Sequence, residues 1–261
     1  MDHLRGAALG VLSGLISDPD DRRAESSTAP RARSAATAGD ASFPPGDVDR
    51  FARLVMGADM ARVEAFLDQL RERGLAPEAL YQGLVLVARR LGEWWLDDSC
   101  SFSDVTLGTI RLQQVLRALG PWFRGTIECP RPGHRILLVP SPGEQHTFGL
   151  FIVADFLARE GWDVWGETSA GDGMLRIVGD EWFDLIGISV GCVSRLDAVA
   201  AQIQRLRSAS CNRTVGIMVG GPIFVEHPEY AASVGADATA AEGSEAARAA
   251  ESLLTSIKRK G

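Results

Sequence analysis

The residues best suited to chemistry are Glu144, His146 and Gly149, in the stretch Ser141-Pro142-Gly143-Glu144-Gln145-His146-Thr147-Phe148-Gly149. A neutral imidazole is the commonest metal ligand among side chains. A carboxylate two residues earlier is placed to bond the ring's other nitrogen, which fixes tautomer and orientation. Gly149 has no side chain, so a bulky group can come close to the backbone. A loop histidine by itself is more often solvated or structural than a ligand. The flanking Glu144 and Gly149, and the place in the chain, single this one out.

That place is set by two elements. Arg135 to Pro140 is a short apolar run and reads as a buried strand. Leu150, Val153, Ala154 and Leu157 share one face of a helix over Leu150 to Glu160. His146 therefore sits in a strand-to-helix turn, and in an open α/β sheet such turns line the carboxyl ends where ligands bind. Further strands are expected at Asp163–Trp165, Asp184–Ser189, Thr214–Val219 and Asp237–Thr239. Helical stretches alternate with them near Met174–Gly179, Leu196–Leu206, Pro228–Val234 and Ser244–Ile257. Apolar strands alternating with helices mean a parallel sheet covered on both faces, here a five-stranded, flavodoxin-like (Rossmann-type) α/β domain over residues 131–261. Small residues at Ser189-Val190-Gly191 and Gly220-Gly221-Pro222 open the ends of the third and fourth strands to deep insertion of a ligand.

Ahead of the sheet, residues 47–125 read as a four-helix bundle. Asp47 is a cap for a first helix with Val48, Phe51, Leu54 and Val55 inward, and Asp59 caps the second, with Gly74 as its stop. Pro77 opens the third, whose stripe is Leu80, Leu84, Val87, Leu91 and Trp94. Adjacent helical residues differ by about 100°, so Trp95 points away from the stripe. A final helix from about Ser103 carries Leu107, Leu112, Leu116 and Leu119 and is expected to end before Pro121. Arg22 to Gly46 has little to bury, which makes residues 1–46 a flexible extension. Ala7 to Ile16 is apolar but has a thin basic flank and no small-residue cleavage pattern, so it is not read as a signal peptide.

Composition narrows the function class. A net charge of −7 disfavours a general nucleic-acid surface, and no apolar run approaches the roughly 18 residues of a membrane span. The four cysteines, Cys100, Cys129, Cys192 and Cys211, form no Cys-x-x-Cys pair and read as reduced thiols of a cytoplasmic protein. No helix-turn-helix precedes the bundle, and no convergent acid/base set lies outside the histidine loop, so an enzyme is not expected.

Glu144-x-His146-x-x-Gly149 resembles the Asp-x-His-x-x-Gly signature of cobalamin-binding domains, with Glu for Asp. The resemblance implies a cobalamin, as adenosylcobalamin or hydroxocobalamin. His146 would be lower axial ligand to cobalt in place of the cofactor's benzimidazole, with Glu144, Gln145, Thr147 and Gly149 around it. It also implies contact of Ser189 with the buried benzimidazole and of Gly220, Gly221 and Pro222 with the nucleotide tail. Glu242 and Gly243 would lie near the tail's phosphate or ribose, and His227 at the surface or on the tail. The usual Ser-x-Leu is Ser189-x-Gly191 here, which implies a tail pocket of different shape. In photoreceptors of the CarH type a bundle tryptophan caps the corrin and a Glu-His pair follows. Here Trp94, with Trp95 beside it, is kept, while Asp104-Val105 stands where that pair would be, so the upper histidine is absent. Glu93 and Asp104 are the polar candidates near the upper ligand.

Within the group, Cys100 to Thr106, Pro142 to Gly149 and Val219 to Pro222 look most like the AerR/PpaA regulators of bacterial photosynthesis genes. That likeness implies a light-responsive antirepressor acting on a DNA-binding repressor of the PpsR/CrtJ type, without direct nucleic-acid or membrane contact and with oligomers open. A photocobilin, with a bilin beside the cobalamin, is one alternative. A corrinoid carrier subunit of a methyltransferase is another, and a flavodoxin-like module without cobalamin is a third.

Overall fold

The computed structural model describes residues 42–57, 59–125, 130–144, 147–166 and 172–260. The chain falls into two compact units that divide between Leu116 and Arg117.

The first unit is helical. Helix α1, Pro45–Met56, opens on Pro45, whose missing N–H costs nothing in a first turn. Asp47, expected as its cap, lies inside that turn and accepts a 2.7 Å bond from Arg73. Packing begins ahead of it, since Phe43 is buried and stacks on Phe51. Helix α2, Met60–Glu72, is capped by Asp59, which accepts from the Ala61 N–H at 3.0 Å. Helix α3, Pro77–Leu96, buries Leu80, Leu84, Val87 and Leu91 as the stripe predicts. Trp94 does not follow them inward. It is half-buried, with the Arg53 guanidinium 5.4 Å from its ring. Helix α4, Phe102–Arg124, buries Leu112, Leu116 and Leu119 but leaves Leu107 at the surface. It is tied to α1 by the buried Arg111, which donates to the Val55 carbonyl at 2.9 Å.

Helix α4 also runs on through Pro121, where a stop was expected. Proline removes one helical bond, yet packing holds the last turn. Phe123 meets Phe156 edge-on at 4.8 Å, and Arg124 pairs with Asp155 at 3.1 Å. Gly125, at φ +67°, then ends the helix.

The second unit alternates strands and helices: β1 Arg135–Pro140, α5 Phe148–Arg159, β2 Asp163–Gly166, α6 Asp172–Asp180, β3 Leu185–Ser189, α7 Leu196–Ala209, β4 Gly216–Gly220, α8 Pro222–Glu226, α9 Tyr230–Ser233, β5 Ala238–Ala240 and α10 Gly243–Lys260. The five strands are parallel in the order β2-β1-β3-β4-β5, the doubly wound arrangement expected. β4 starts two residues later than its apolar run, because the Asn212 side chain holds the Thr214 N–H and hydroxyl in a turn. Side chains alternate across the sheet. Ile136, Leu138, Leu185 and Met218 pack with Leu157 of α5 and Ala250 and Leu254 of α10. Leu137, Val139, Ile186, Ile188, Ile217 and Val219 pack with Val178 of α6 and Val199 and Ile203 of α7. Full burial of each such side chain stabilises by about 1.5–3 kcal/mol. Among the described residues no helix is long and apolar enough to cross a membrane.

Candidate functional site

The sheet order reverses between β1 and β3. Connections from these strands leave to opposite sides, so their loops border a crevice at the carboxyl edge. The loop after β1 carries Ser141 to Thr147, and the loop after β3 carries Val190 to Arg195. Gln145 and His146 lie outside the described residues. Glu144, just before them, is buried, with its side chain 2% exposed. Its Oε2 accepts a 2.8 Å bond from the Gly191 N–H across the crevice. Arg195 reaches back the other way. Its Nη1 donates to the Pro142 carbonyl at 2.6 Å, and its Nε lies 3.7 Å from Glu144 Oε2. Gly143 has φ +72°, a backbone conformation that favours glycine, and an added Cβ would press on that guanidinium at 2.7 Å. Arg195 belongs to no motif, and its part in this loop pair had no signal in the sequence.

The sheet face under α5 and α10 is built for a slender group. By alternation, Gly187, Ser189, Gly220 and Ala240 lie on the same face as Leu138 and Met218. All four are small and sit toward the carboxyl ends. Gly187 is tight against Leu138, where an added Cβ would come to 2.7 Å. Gly243 opens α10 with no side chain facing Phe156 and Ile152 of α5, at 2.8 and 3.2 Å from an added Cβ. Gly221, at φ +124°, leaves no space for a Cβ against the Val190 carbonyl, and Pro222 begins α8 directly behind it. Glu242 accepts the first N–H bonds of α10 through its carbonyl. Thr147 precedes α5, and its carbonyl accepts from the Leu150 N–H at 2.9 Å. A Cβ on Gly149 would meet nothing, so protein packing does not demand glycine there. Among the described residues, the buried Ser141 Oγ has no hydrogen-bond partner. The Ser141 hydroxyl, without a partner among the described residues, and the small Ser189, Gly220 and Ala240 at the strand ends fit a deeply inserted organic cofactor.

The other sequence candidates are committed in different ways. Trp94 and Trp95 are both half-buried in the helical unit, and the chain turns beyond them through Asp98 at φ +58°. Asp104 makes a reciprocal cap at the start of α4. It accepts from the Ser101 hydroxyl at 2.6 Å and N–H at 2.9 Å, while Ser101 Oγ accepts from the Asp104 N–H. These bonds hold its carboxyl below the ordinary value, and Ser101-x-x-Asp104 is a signature the sequence displays. Glu93 pairs with Arg90 one turn earlier, at 2.9 Å. His227 stacks on Tyr230 and bonds Glu229. Among the described residues, no group of three or more His, Cys, Asp or Glu gathers to hold a metal ion.

Cys192 lies in the loop after β3 and is exposed. Ser194, 3.2 Å away, lowers its thiol pKa against the opposing effect of burial, and Arg195 adds to the lowering. Burial and the charges of Asp104 and Asp97 raise that of Cys100. The thiolate is the nucleophile. Cys192 is therefore expected to alkylate with iodoacetamide at neutral pH well before Cys100, as peptide mass spectrometry after timed quenching will show. Equal rates would contradict this ordering.

Residues 134–251 match the B12 binding domain family. The chain is 34% identical over 152 residues, 58% of its own length and 78% of the relative's, to an uncharacterized 20.5 kDa protein in the bchF-crtJ intergenic region of Rhodobacter capsulatus. In fold it resembles the monomethylamine corrinoid protein of Methanosarcina barkeri. The TM-score is 0.67 at 15% identity, covering 80% of this chain and 100% of that one.

Proposed function

We propose, on the premise that this chain belongs to the B12-binding domain family and has a relative in the bchF-crtJ intergenic region of Rhodobacter capsulatus, that it is a light-responsive, cobalamin-binding regulator. It would act as an antirepressor on a DNA-binding repressor of the PpsR/CrtJ type. Cobalamin binding follows from the family. The regulatory role is carried by one observation, the 34% identity to a protein in the bchF-crtJ region. The likeness to the AerR/PpaA regulators points the same way.

In this reading His146 would hold the cobalt and Glu144 would orient the ring. The small residues Ser189, Gly220 and Ala240 at the strand ends would face the nucleotide tail. Bound cobalamin would supply a light-sensitive cobalt centre. Trp94, Trp95 and the turn beyond them are the part of the helical unit suited to passing on a change, because their side chains are only half-buried. The partner equilibrium can shift no further than its differential affinity for the two arrangements allows.

The test is a titration of the candidate repressor with adenosylcobalamin-loaded protein in the dark and after illumination. A light-dependent change in affinity is expected. Equal binding in both conditions removes the light response, and no binding in either removes the partner. Methyl transfer from the loaded protein to a partner enzyme would favour a carrier instead.

A further inference from the structure

We propose that Gly191 and Arg195 are positioning residues that latch the histidine-bearing loop to the loop after β3. Gly191 makes room for the long carboxylate arm of Glu144, and Arg195 clamps the backbone at Pro142. The proposal rests on the cobalamin reading above and adds to it the residues that set where the ligand loop lies.

Glutamate is one methylene longer than aspartate. Its carboxylate comes to rest on the Gly191 N–H at 2.8 Å, in the space a Cβ at position 191 would fill. Gly191 is not among the glycines with positive φ, so its backbone alone would accept alanine, and the atoms nearest an added Cβ are those of the Glu144 carboxylate. Glu at 144 and Gly at 191 thus fit one another, although they are 47 residues apart. Arg195 completes the latch with its 2.6 Å bond to the Pro142 carbonyl and its charge beside the buried Glu144. Removing that charge takes the nearby cation from a buried carboxylate, which is costly. Both ends of Pro142–Glu144, the segment that leads into His146, are therefore held from the β3 side.

The test uses the full chain loaded with hydroxocobalamin and follows two quantities. One is the rate at which cobalamin is released, read by absorbance. The other is hydrogen exchange of the residue 191 amide in the protein without cofactor. Gly191→Ala and Arg195→Met are each expected to release cobalamin about tenfold faster, whereas Glu144→Asp combined with Gly191→Ala should recover most of the loss, as contacting residues couple. Arg195→Lys should fall between, keeping the charge but not the planar fork. The 191 amide should exchange faster in Arg195→Met and in Glu144→Asp. Additive effects in the double variant, or wild-type release and exchange in Arg195→Met, would overturn the latch. If the wild type itself retains no cobalamin, the functional reading fails and the latch with it. If the wild type retains it and the variants match it, only the latch fails.

Discussion

His146→Ala protein is expected to bind hydroxocobalamin more than about a hundredfold more weakly than wild type. Losing only the group that supports a metal-ligating histidine costs about 10–100-fold, and here the ligand itself is lost. The absorbance of the mixture should change from that of a histidine-ligated cobalamin to that of the free cofactor, and gel filtration should strip the variant while wild type stays coloured. Position 146 lies outside the described strands and helices, so the apo protein should keep its circular dichroism. Equal retention by both proteins would remove His146 as the ligand. The family membership of residues 134–251 would stand, and a different axial group would have to be sought.

Gly221→Ala should cost about 3 kcal/mol or more, because a strained backbone alone accounts for about 1–3 kcal/mol and a collision with main chain adds to it. At φ +124° an alanine is disfavoured, and its methyl meets the Val190 carbonyl, which cannot swing aside as a side chain would. The urea midpoint of the sheet unit reads this directly. Gly149→Ala supplies the contrast. Its added methyl meets nothing, and alanine is the better helix former by about 1 kcal/mol. The Gly149 variant should therefore keep or gain stability while losing cobalamin retention. A Gly149 variant that retains cobalamin as well as wild type would mean that the cofactor does not approach this backbone. A Gly221 variant of undiminished midpoint would mean that the β4–α8 turn relaxes freely.

Much of this architecture is legible in local pattern. Arg135–Pro140 reads as a strand because an unbroken apolar run suits a sheet covered on both faces. Asp59 and Pro77 announce helix starts because they satisfy, or forgo, N–H groups within their own turn. The doubly wound sheet follows from the alternation of such runs with helices, and the histidine loop from its place between two of them. These features depend on residues a few positions apart, and so does the Ser101–Asp104 cap, which was open to the same reading.

Other features had no local trace. Phe43 is buried because Phe51 and Gly83 offer it a surface, although Ser42 and Pro44 beside it form no apolar run. Helix α4 survives Pro121 because Phe156 and Asp155, more than thirty residues on, hold its last turn. Leu107 fits the inward stripe by spacing yet faces out, since spacing fixes which residues share a face and not which face finds a partner. At the site, the types and spacing of Glu144, His146 and Gly149 mark a candidate ligand-bearing stretch. That Glu144 lies on Gly191, and that Arg195 fastens the same loop, was decided only when the chain brought the ends of β1 and β3 side by side. Periodicity and caps act over one or two turns of chain, whereas a contact between residues about fifty apart leaves no pattern in either segment.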